Sequence, residues 1–336
     1  MPHRTETLPV DPQHPEPGTI ARAAEILRAG GLVAFPTETV YGLGANVLDA
    51  RAVQGIFAAK GRPANNPLIV HVADIAEAMK LATAWPAHAQ QLAERFWPGP
   101  LSLVLPKAEC VPNIVTAGAA TVALRVPAHP VALALLQAAQ VPIAAPSANR
   151  SNDLSPTCAA HVLKGLAGRI DLLLDGGPTS GGLESTVLDL SVDPPRLLRP
   201  GLVRQAEIEA VIGPIVRHAS ADVSESTDAL PSPGMLSRHY APRAALECVA
   251  GSAAERAEQL VQQGVRVGWL AMSDPDHPAA SVVLIAMPGD PAGYSARLYA
   301  ALHALDEGGV ERIVVELPPE TDAWLAVHDR LRRASQ

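Results

Sequence analysis

Apolar positions along the first two-thirds of the chain alternate between a helical rhythm and short unbroken runs. Ile20, Ala24 and Leu27 lie at helical spacing, and Gly30-Gly31 closes that segment. Leu32 to Phe35 follow as a buried strand. Asp49 stands where an N-cap belongs, ahead of a helix with Val53, Ile56 and Phe57 on one face. Leu68 to Val72 form the next strand. The same reading predicts helices near 74–82 and 87–96, strands at Leu101–Leu105 and Thr121–Val126, and a helix over 129–139. Further strands are predicted at Ile143–Ala145, Ile170–Leu174 and Thr186–Leu190. Alternating helices and strands mixed with hairpin-like spacings predict an α/β protein with a mixed sheet.

The pattern breaks near Arg217. From there to Pro233 the chain is Ser, Ala, Asp, Glu and Pro with little apolar content, which reads as a linker. It runs into Pro233-Gly234-Met235-Leu236-Ser237-Arg238-His239-Tyr240-Ala241-Pro242, a stretch too rich in special residues for a passive tether. After Ala244 a second α/β pattern begins: strand 246–250, helix 253–263, strands 265–271 and 281–286, helix 292–306, strand 312–317 and helix 322–333. Tyr294, Leu298, Ala301, Leu302 and Leu305 form the buried stripe of its long helix. This is the size of a minimal Rossmann-like unit, but it carries no G-x-G-x-x-G. The divisions that follow are an N-terminal extension at 1–14, a first domain at 15–216, a linker or lid at 217–243 and a second domain at 244–336.

Bulk properties narrow the picture. With 336 residues the chain is long enough for two cores. Hydrophobic residues make up 48% but aromatics only 3%, so Ala, Val, Leu and Ile must fill those cores. No apolar run reaches the roughly eighteen residues of a membrane span, and the Pro- and His-rich start lacks the apolar segment of a signal peptide. Cys110, Cys158 and Cys248 lie far apart with no C-x-x-C, which argues against zinc and a disulfide framework, and the cytosol is the expected compartment. A net charge of −8 disfavours nucleic-acid binding through broad electrostatics, while a local basic pocket stays open.

Such a pocket has candidates. Lys60-Gly61-Arg62-Pro63-Ala64-Asn65-Asn66-Pro67 places two cations at a helix end, followed by a stiff turn and a strand that ends on His71. Lys60 could simply complement the helix dipole. That does not explain Arg62, whose planar fork suits phosphate. His71 reads equally as a packed histidine or a ligand. Pro36-Thr37-Glu38-Thr39-Val40-Tyr41-Gly42-Leu43-Gly44 follows a strand directly, and reads either as a ligand loop or as a tight turn with positive φ at Gly42 and Gly44. Arg125 ends an otherwise apolar strand and requires a partner, an internal acid or a substrate carboxylate. Ala145-Pro146-Ser147-Ala148-Asn149 ends a strand in hydroxyl and amide groups, and Ser155-Pro156-Thr157 opens a helix with Ser155 as N-cap or phosphate donor. Glu184-Ser185-Thr186 and Arg199-Pro200-Gly201 add two more polar strand ends. Together they describe a polar cavity for a multiply charged anion. No P-loop, G-x-S-x-G or H-E-x-x-H is present, which favours positioning and charge neutralisation over covalent catalysis.

These segments, with Trp97-Pro98-Gly99-Pro100-Leu101, Thr121 to Pro127, Leu198 to Gly201 and the His239-Tyr240-Ala241-Pro242 tail, resemble in order and spacing the YrdC/Sua5 family in its two-domain Sua5 form. The resemblance implies a YrdC-like twisted mixed sheet with a large open cavity, joined to a small Rossmann-like domain. It implies L-threonylcarbamoyladenylate synthase activity, a nucleotidyl transfer that turns L-threonine, bicarbonate or CO2, and ATP into threonylcarbamoyl-AMP and pyrophosphate. A partner tRNA threonylcarbamoyltransferase system would use that product to build N6-threonylcarbamoyladenosine at adenosine 37 of tRNAs, and Mg2+ would accompany the ATP. By the family pattern, Thr39, His71, Arg125, Ala145 and Ser185 surround threonine. Arg62, Asn66, Thr121, Ser147, Ser155, Arg199 and Tyr240 surround ATP, and Lys60 and Arg62 act catalytically by offsetting phosphate charge. The 217–243 segment is implied to fold over the cavity. A basic concave module for double-stranded RNA or tRNA, without adenylation, is the alternative.

Overall fold

The structure is a computed structural model and describes residues 4–218, 230, 240–272 and 281–336. Among them, eleven strands form one mixed sheet. These are β1 (Glu6–Pro9), β2 (Val33–Phe35), β3 (Gly42–Asn46), β4 (Ile69–His71), β5 (Leu101–Pro106) and β6 (Thr121–Arg125). They continue with β7 (Ile143–Ala144), β8 (Leu172–Asp175), β9 (Thr186–Asp189), β10 (Arg196–Arg199) and β11 (Val216–Arg217). The order across the sheet is β1-β8-β2-β3-β7-β4-β6-β5-β9-β10-β11. Seven helices accompany it: α1 (Pro17–Arg28), α2 (Ala50–Lys60), α3 (Ile75–Lys80), α4 (Ala87–Phe96), α5 (Pro130–Ala139), α6 (Ala159–Leu166) and α7 (Gln205–Ile212).

Helix α2 shows how local sequence builds this frame. The Asp49 carboxylate accepts from the Arg51 and Ala52 N–H groups, Ala52, Val53 and Ile56 are buried, and Gly61 ends the helix at φ 62°. The left-handed Gly61 turns the chain into the Arg62–Pro67 loop.

Strand alternation positions the site. In the parallel pair β4 and β6, Ile69 faces Ala123 and His71 faces Arg125. In β5 and β9, Ser102 faces Val187 and Val104 faces Asp189, while Arg199 of β10 lies opposite Val187. One face of the sheet therefore carries His71, Arg125, Ser185 and Arg199 above a small apolar floor of Ile69, Val104, Ala123, Val187 and Leu198. The opposite face, with Val70, Leu103, Leu124 and Leu188, packs into the main core.

Gly42 to Asn46 form a strand, where the sequence left a turn open. Neither Gly42 nor Gly44 has positive φ. Gly44 is needed for space: a Cβ there would lie 2.9 Å from both Ile143 and Phe35 side chains.

The second sheet is four-stranded and all parallel, ordered β12 (Ala245–Val249), β15 (Arg312–Glu316), β13 (Val267–Ala271), β14 (Val282–Ala286). Helices α8 (Ala253–Gln262), α9 (Pro291–Glu307) and α10 (Leu325–Ala334) pack on it, and α10 follows a short 3-10 turn at Asp322–Trp324. The two units share an apolar cluster in which Val40, Leu154 and Leu183 meet Tyr240, Tyr294, Leu298 and Leu302. Gly182, at φ 71°, lets its loop approach α9 closely, since a Cβ there would sit 2.4 Å from the Ser295 carbonyl. No helix among the described residues is long and apolar enough to cross a membrane.

Candidate active site

A cavity open to solvent lies on the polar face of the large sheet. Thr39, His71, Arg125, Ala145, Ser147, Ser185, Arg62, Arg199 and Tyr240 all line it. Nine sequence-predicted residues thus come together, from positions scattered across most of the chain.

One end is built on Arg125. Its Nε donates to the Gly99 carbonyl at 3.1 Å, Nη2 to Glu38 Oε1 at 2.6 Å, and Nη1 to Thr39 Oγ1 at 3.1 Å. The acid partner that the sequence required is therefore Glu38, a residue sequence reasoning passed over. Thr37 extends this end: its hydroxyl is 2.7 Å from Thr39 Oγ1 and donates to the Val40 carbonyl. The Trp97–Leu101 turn has a role as well, since Gly99 braces Arg125. His71 is buried beside them. Burial, with Arg125 nearby, lowers its pKa to about 3, so the imidazole is neutral. Its Nδ1 has no hydrogen-bond partner among the described residues.

The other end carries two guanidiniums. Arg62 Nε donates to the Asn66 carbonyl at 3.1 Å, and Nη2 to Asn66 Oδ1 at 2.5 Å and the Pro67 carbonyl at 2.7 Å. The Asn65-Asn66-Pro67 turn thus holds Arg62 in place. Burial lowers its pKa to about 9, opposed by Tyr240 and aided by Arg199, so it stays charged at neutral pH. Arg199 donates to the Ser185 carbonyl from Nε at 3.1 Å and Nη2 at 2.9 Å, and reaches Tyr240 Oη from Nη1 at 3.4 Å. Tyr240 itself is fully buried.

Lys60, Asn66, Thr121 and Ser155 do not line the cavity. Lys60 is buried, and its ammonium donates to the carbonyls of Ser147 at 2.6 Å and Asn149 at 2.5 Å. It braces the Pro146–Asn149 turn rather than facing a ligand. Burial and the neighbouring Arg62 push its pKa well down. Asn66 is wholly buried behind Arg62. Thr121 starts β6, half-buried and paired with Pro106. Ser155 is neither an N-cap nor a cavity donor: α6 starts at Ala159 with Cys158 before it. The Pro156 and Thr157 carbonyls accept from the Tyr41 and Thr179 N–H groups rather than from a helical turn, and the Ser155 hydroxyl donates to Glu184 Oε1 at 2.5 Å.

Glu184 is the second functional residue missed. It lines the cavity, is buried, and also accepts from Tyr299 Oη at 3.2 Å and Arg330 Nε at 2.7 Å. Burial alone would raise its carboxyl, but the Arg330 and Arg199 guanidiniums reverse that and hold it below the usual carboxylate range. Its only sequence signal is its place beside Ser185.

Two points along the linker touch loops of the first domain. The Leu230 N–H donates to the Asn65 carbonyl at 3.0 Å, and the Ala241 N–H to the Asn152 carbonyl at 3.0 Å. The expected roles of Gly234, Met235 and His239 lie outside the described residues.

The fold and the cavity define a two-domain α/β protein whose cleft carries Arg125 at one end and the Arg62 and Arg199 guanidiniums at the other. A family model described as "Telomere recombination", covering the Sua5, YciO and YrdC proteins, matches residues 25–201. A second, described as "Threonylcarbamoyl-AMP synthase, C-terminal domain", matches 203–336. Among curated proteins, the chain is similar to the threonylcarbamoyl-AMP synthase of Pyrococcus abyssi, with 48% identity over 93% of both chains. It is similar to that of Bacillus subtilis, with 47% identity over 94% of this chain and 92% of the other. Among solved structures it resembles P. abyssi Sua5 complexed with L-threonine, with a TM-score of 0.93 and 44% identity over 98% of each chain. The chain belongs to the YrdC/Sua5 family, in its two-domain Sua5 form.

Proposed function

We propose that this protein is an L-threonylcarbamoyladenylate synthase. L-Threonine, CO2 or bicarbonate, and ATP give threonylcarbamoyl-AMP and pyrophosphate, which makes it a nucleotidyltransferase feeding a downstream tRNA threonylcarbamoyltransferase. The observation that carries the reading is the two-ended cavity. Arg125, Thr39 and the neutral His71 lie at one end, and Arg62, Arg199 and Tyr240 at the other.

Threonine sits at the first end, its carboxylate on Arg125 and its hydroxyl near Thr39. A neutral His71 adds no positive charge next to the substrate amine and offers the Nδ1 lone pair to it. Ala145 is small enough to leave room above the Ile69 floor. The ATP phosphates lie toward Arg62 and Arg199, with Ser147 as a hydroxyl donor. The deprotonated amine adds to CO2, forming an N–C bond and releasing a proton to solvent. A carbamate oxygen then attacks the α-phosphorus. The new P–O bond forms as the bond to pyrophosphate breaks, and pyrophosphate leaves with the electron pair. Fixed guanidiniums stabilise the charge that builds on the leaving group. Lys60 contributes by holding the Ser147 turn.

Mg2+ is proposed to enter with ATP, where it would neutralise phosphate charge. The described residues contain no group of three or more His, Cys, Asp or Glu set to hold a metal, which fits an ion that keeps phosphate and water ligands. Closure by the 217–243 segment, which lies largely outside the described residues, would keep water from the mixed anhydride. The test is pyrophosphate release. It should require ATP, threonine and bicarbonate together, and release independent of threonine would overturn the reading.

A further inference from the structure

The last helix of the chain supports the cleft from behind. Arg330 of α10 is fully buried, and its guanidinium reaches the first domain at two points and Tyr240 of the linker at a third. Nε donates to Glu184 Oε2 at 2.7 Å, Nη2 donates to the Pro200 carbonyl at 3.1 Å, and the group lies 5.1 Å from the centre of the Tyr240 ring. Asp329 Oδ2 takes Nη1 at 2.6 Å. Both Glu184 and Tyr240 line the cleft, and Glu184 in turn fixes the Ser155 hydroxyl.

Domain attachment alone does not call for this pair. An apolar cluster already joins the two units, and a buried ion pair adds little stability over apolar packing of similar volume, because both charges lose their water. What the pair adds is orientation and charge. Glu184 feels Arg199 as well as Arg330. Without Arg330, its carboxylate would be left buried with Arg199 as the nearest remaining guanidinium. Arg199 would then be drawn off Ser185 and Tyr240, and the phosphate end would lose part of its attraction for an anion. Counting Arg62, Arg199, Arg330 and Glu184, that end carries two net positive charges with Arg330 and one without it.

We propose that Arg330 is a positioning residue through which the C-terminal domain sets the triphosphate end of the cleft, by holding Glu184 and bracing Tyr240 so that Arg199 keeps its place. This rests on the functional reading above. It makes the second domain part of the site without any of its atoms needing to touch the substrate.

The test uses the full-length chain. ATP and L-threonine binding are measured separately by calorimetry, and KM and kcat by pyrophosphate release, for wild type, Arg330→Met, Arg330→Lys, Glu184→Gln/Arg330→Met and Val327→Ala. Val327 is buried on the same helix in the apolar cluster and serves as the stability control. Arg330→Met should weaken ATP binding about tenfold or more, with threonine binding within about twofold of wild type. Lys should restore only part, because it lacks the fork that reaches both Glu184 and Pro200. The double variant should recover part of the loss, since a neutral Gln leaves Arg199 undisturbed. Val327→Ala should lower thermal stability with ATP binding unchanged. The proposal is overturned if Arg330→Met binds ATP as wild type does, if ATP and threonine weaken in parallel, or if Val327→Ala reproduces the effect. Should Arg330→Met fail to fold, Arg330→Lys and the double variant decide the question on the same terms. A wild-type chain that binds no ATP would overturn the functional reading itself, visible before any variant is made.

Discussion

Arg125 meets one of the two partners the sequence left open, an internal acid. Glu38 satisfies one side of its guanidinium, and the Thr39 side faces the cavity. Replacing it with Ala should raise the threonine KM about ten- to hundredfold, the range for a charge-assisted hydrogen bond, with a smaller effect on ATP. Steady-state kinetics with each substrate varied would check this, and an unchanged threonine dependence would assign Arg125 to Glu38 alone. Tyr240 calls for a gentler change than Ala, because it is buried in the shared apolar cluster and truncation there also opens a cavity. Tyr240→Phe removes only the hydroxyl near Arg199. It should raise the ATP KM a fewfold while the unfolding temperature stays within about 3 °C. Equal kinetics in the two proteins would detach Tyr240 from the nucleotide.

Between elements, the polar face of β6 is legible in advance, because an Arg in an otherwise apolar strand announces it, whereas the pairing of β4 with β6 is known only from the structure. Lys60 and Ser155 share a feature that their local sequence does not record. Each looks like an anion ligand on its own helix end or turn, but its partners are distant carbonyls or a carboxylate that no local period records. The α6–α9 contact carries a pH signature. His161 and His303 stack with ring centres 3.7 Å apart, and His303 donates from Nε2 to the Ser155 carbonyl. Burial, with His161 adjacent, lowers His303 to about 3, against an ordinary value of 6.5. The unfolded chain therefore binds more protons between about pH 3 and 6.5, and stability falls as pH drops through that window, by up to roughly 1.4 kcal/mol per pH unit. Thermal unfolding from pH 7 to pH 5 should show this decline, and His303→Gln should make it shallower, leaving the part that the likewise lowered His71 contributes. A slope unchanged in the variant would place the effect elsewhere. At the Gly182 approach to α9, Gly182→Ala should cost about 2 kcal/mol or more in denaturant unfolding, from positive φ and the clash with Ser295 together. A change below about 0.5 kcal/mol would mean that the loop yields.

At the scale of the molecule, the sequence announces two α/β units and their order through periodicity, and a polar cavity through the hydroxyl, amide and Arg groups at strand ends, while the assignment of residues to each substrate comes from the family resemblance. It does not announce that the units share a core, or that Glu184 binds a residue 146 positions away. Such pairs arise from docking, and a lone Arg on a C-terminal helix reads as a solvated surface charge until its partner is known. The first domain supplies the groups that face the substrates, while α9 and α10 hold the wall behind them. The central claim is that one cavity joins threonine, inorganic carbon and the adenylyl group. Its most direct test is mass spectrometry of the nucleotide product formed from ATP, threonine and 13C-bicarbonate. The product should be threonylcarbamoyl-AMP heavier by one mass unit than that formed from unlabelled bicarbonate. An adenylate without the label, or no threonine-bearing adenylate at all, would contradict it.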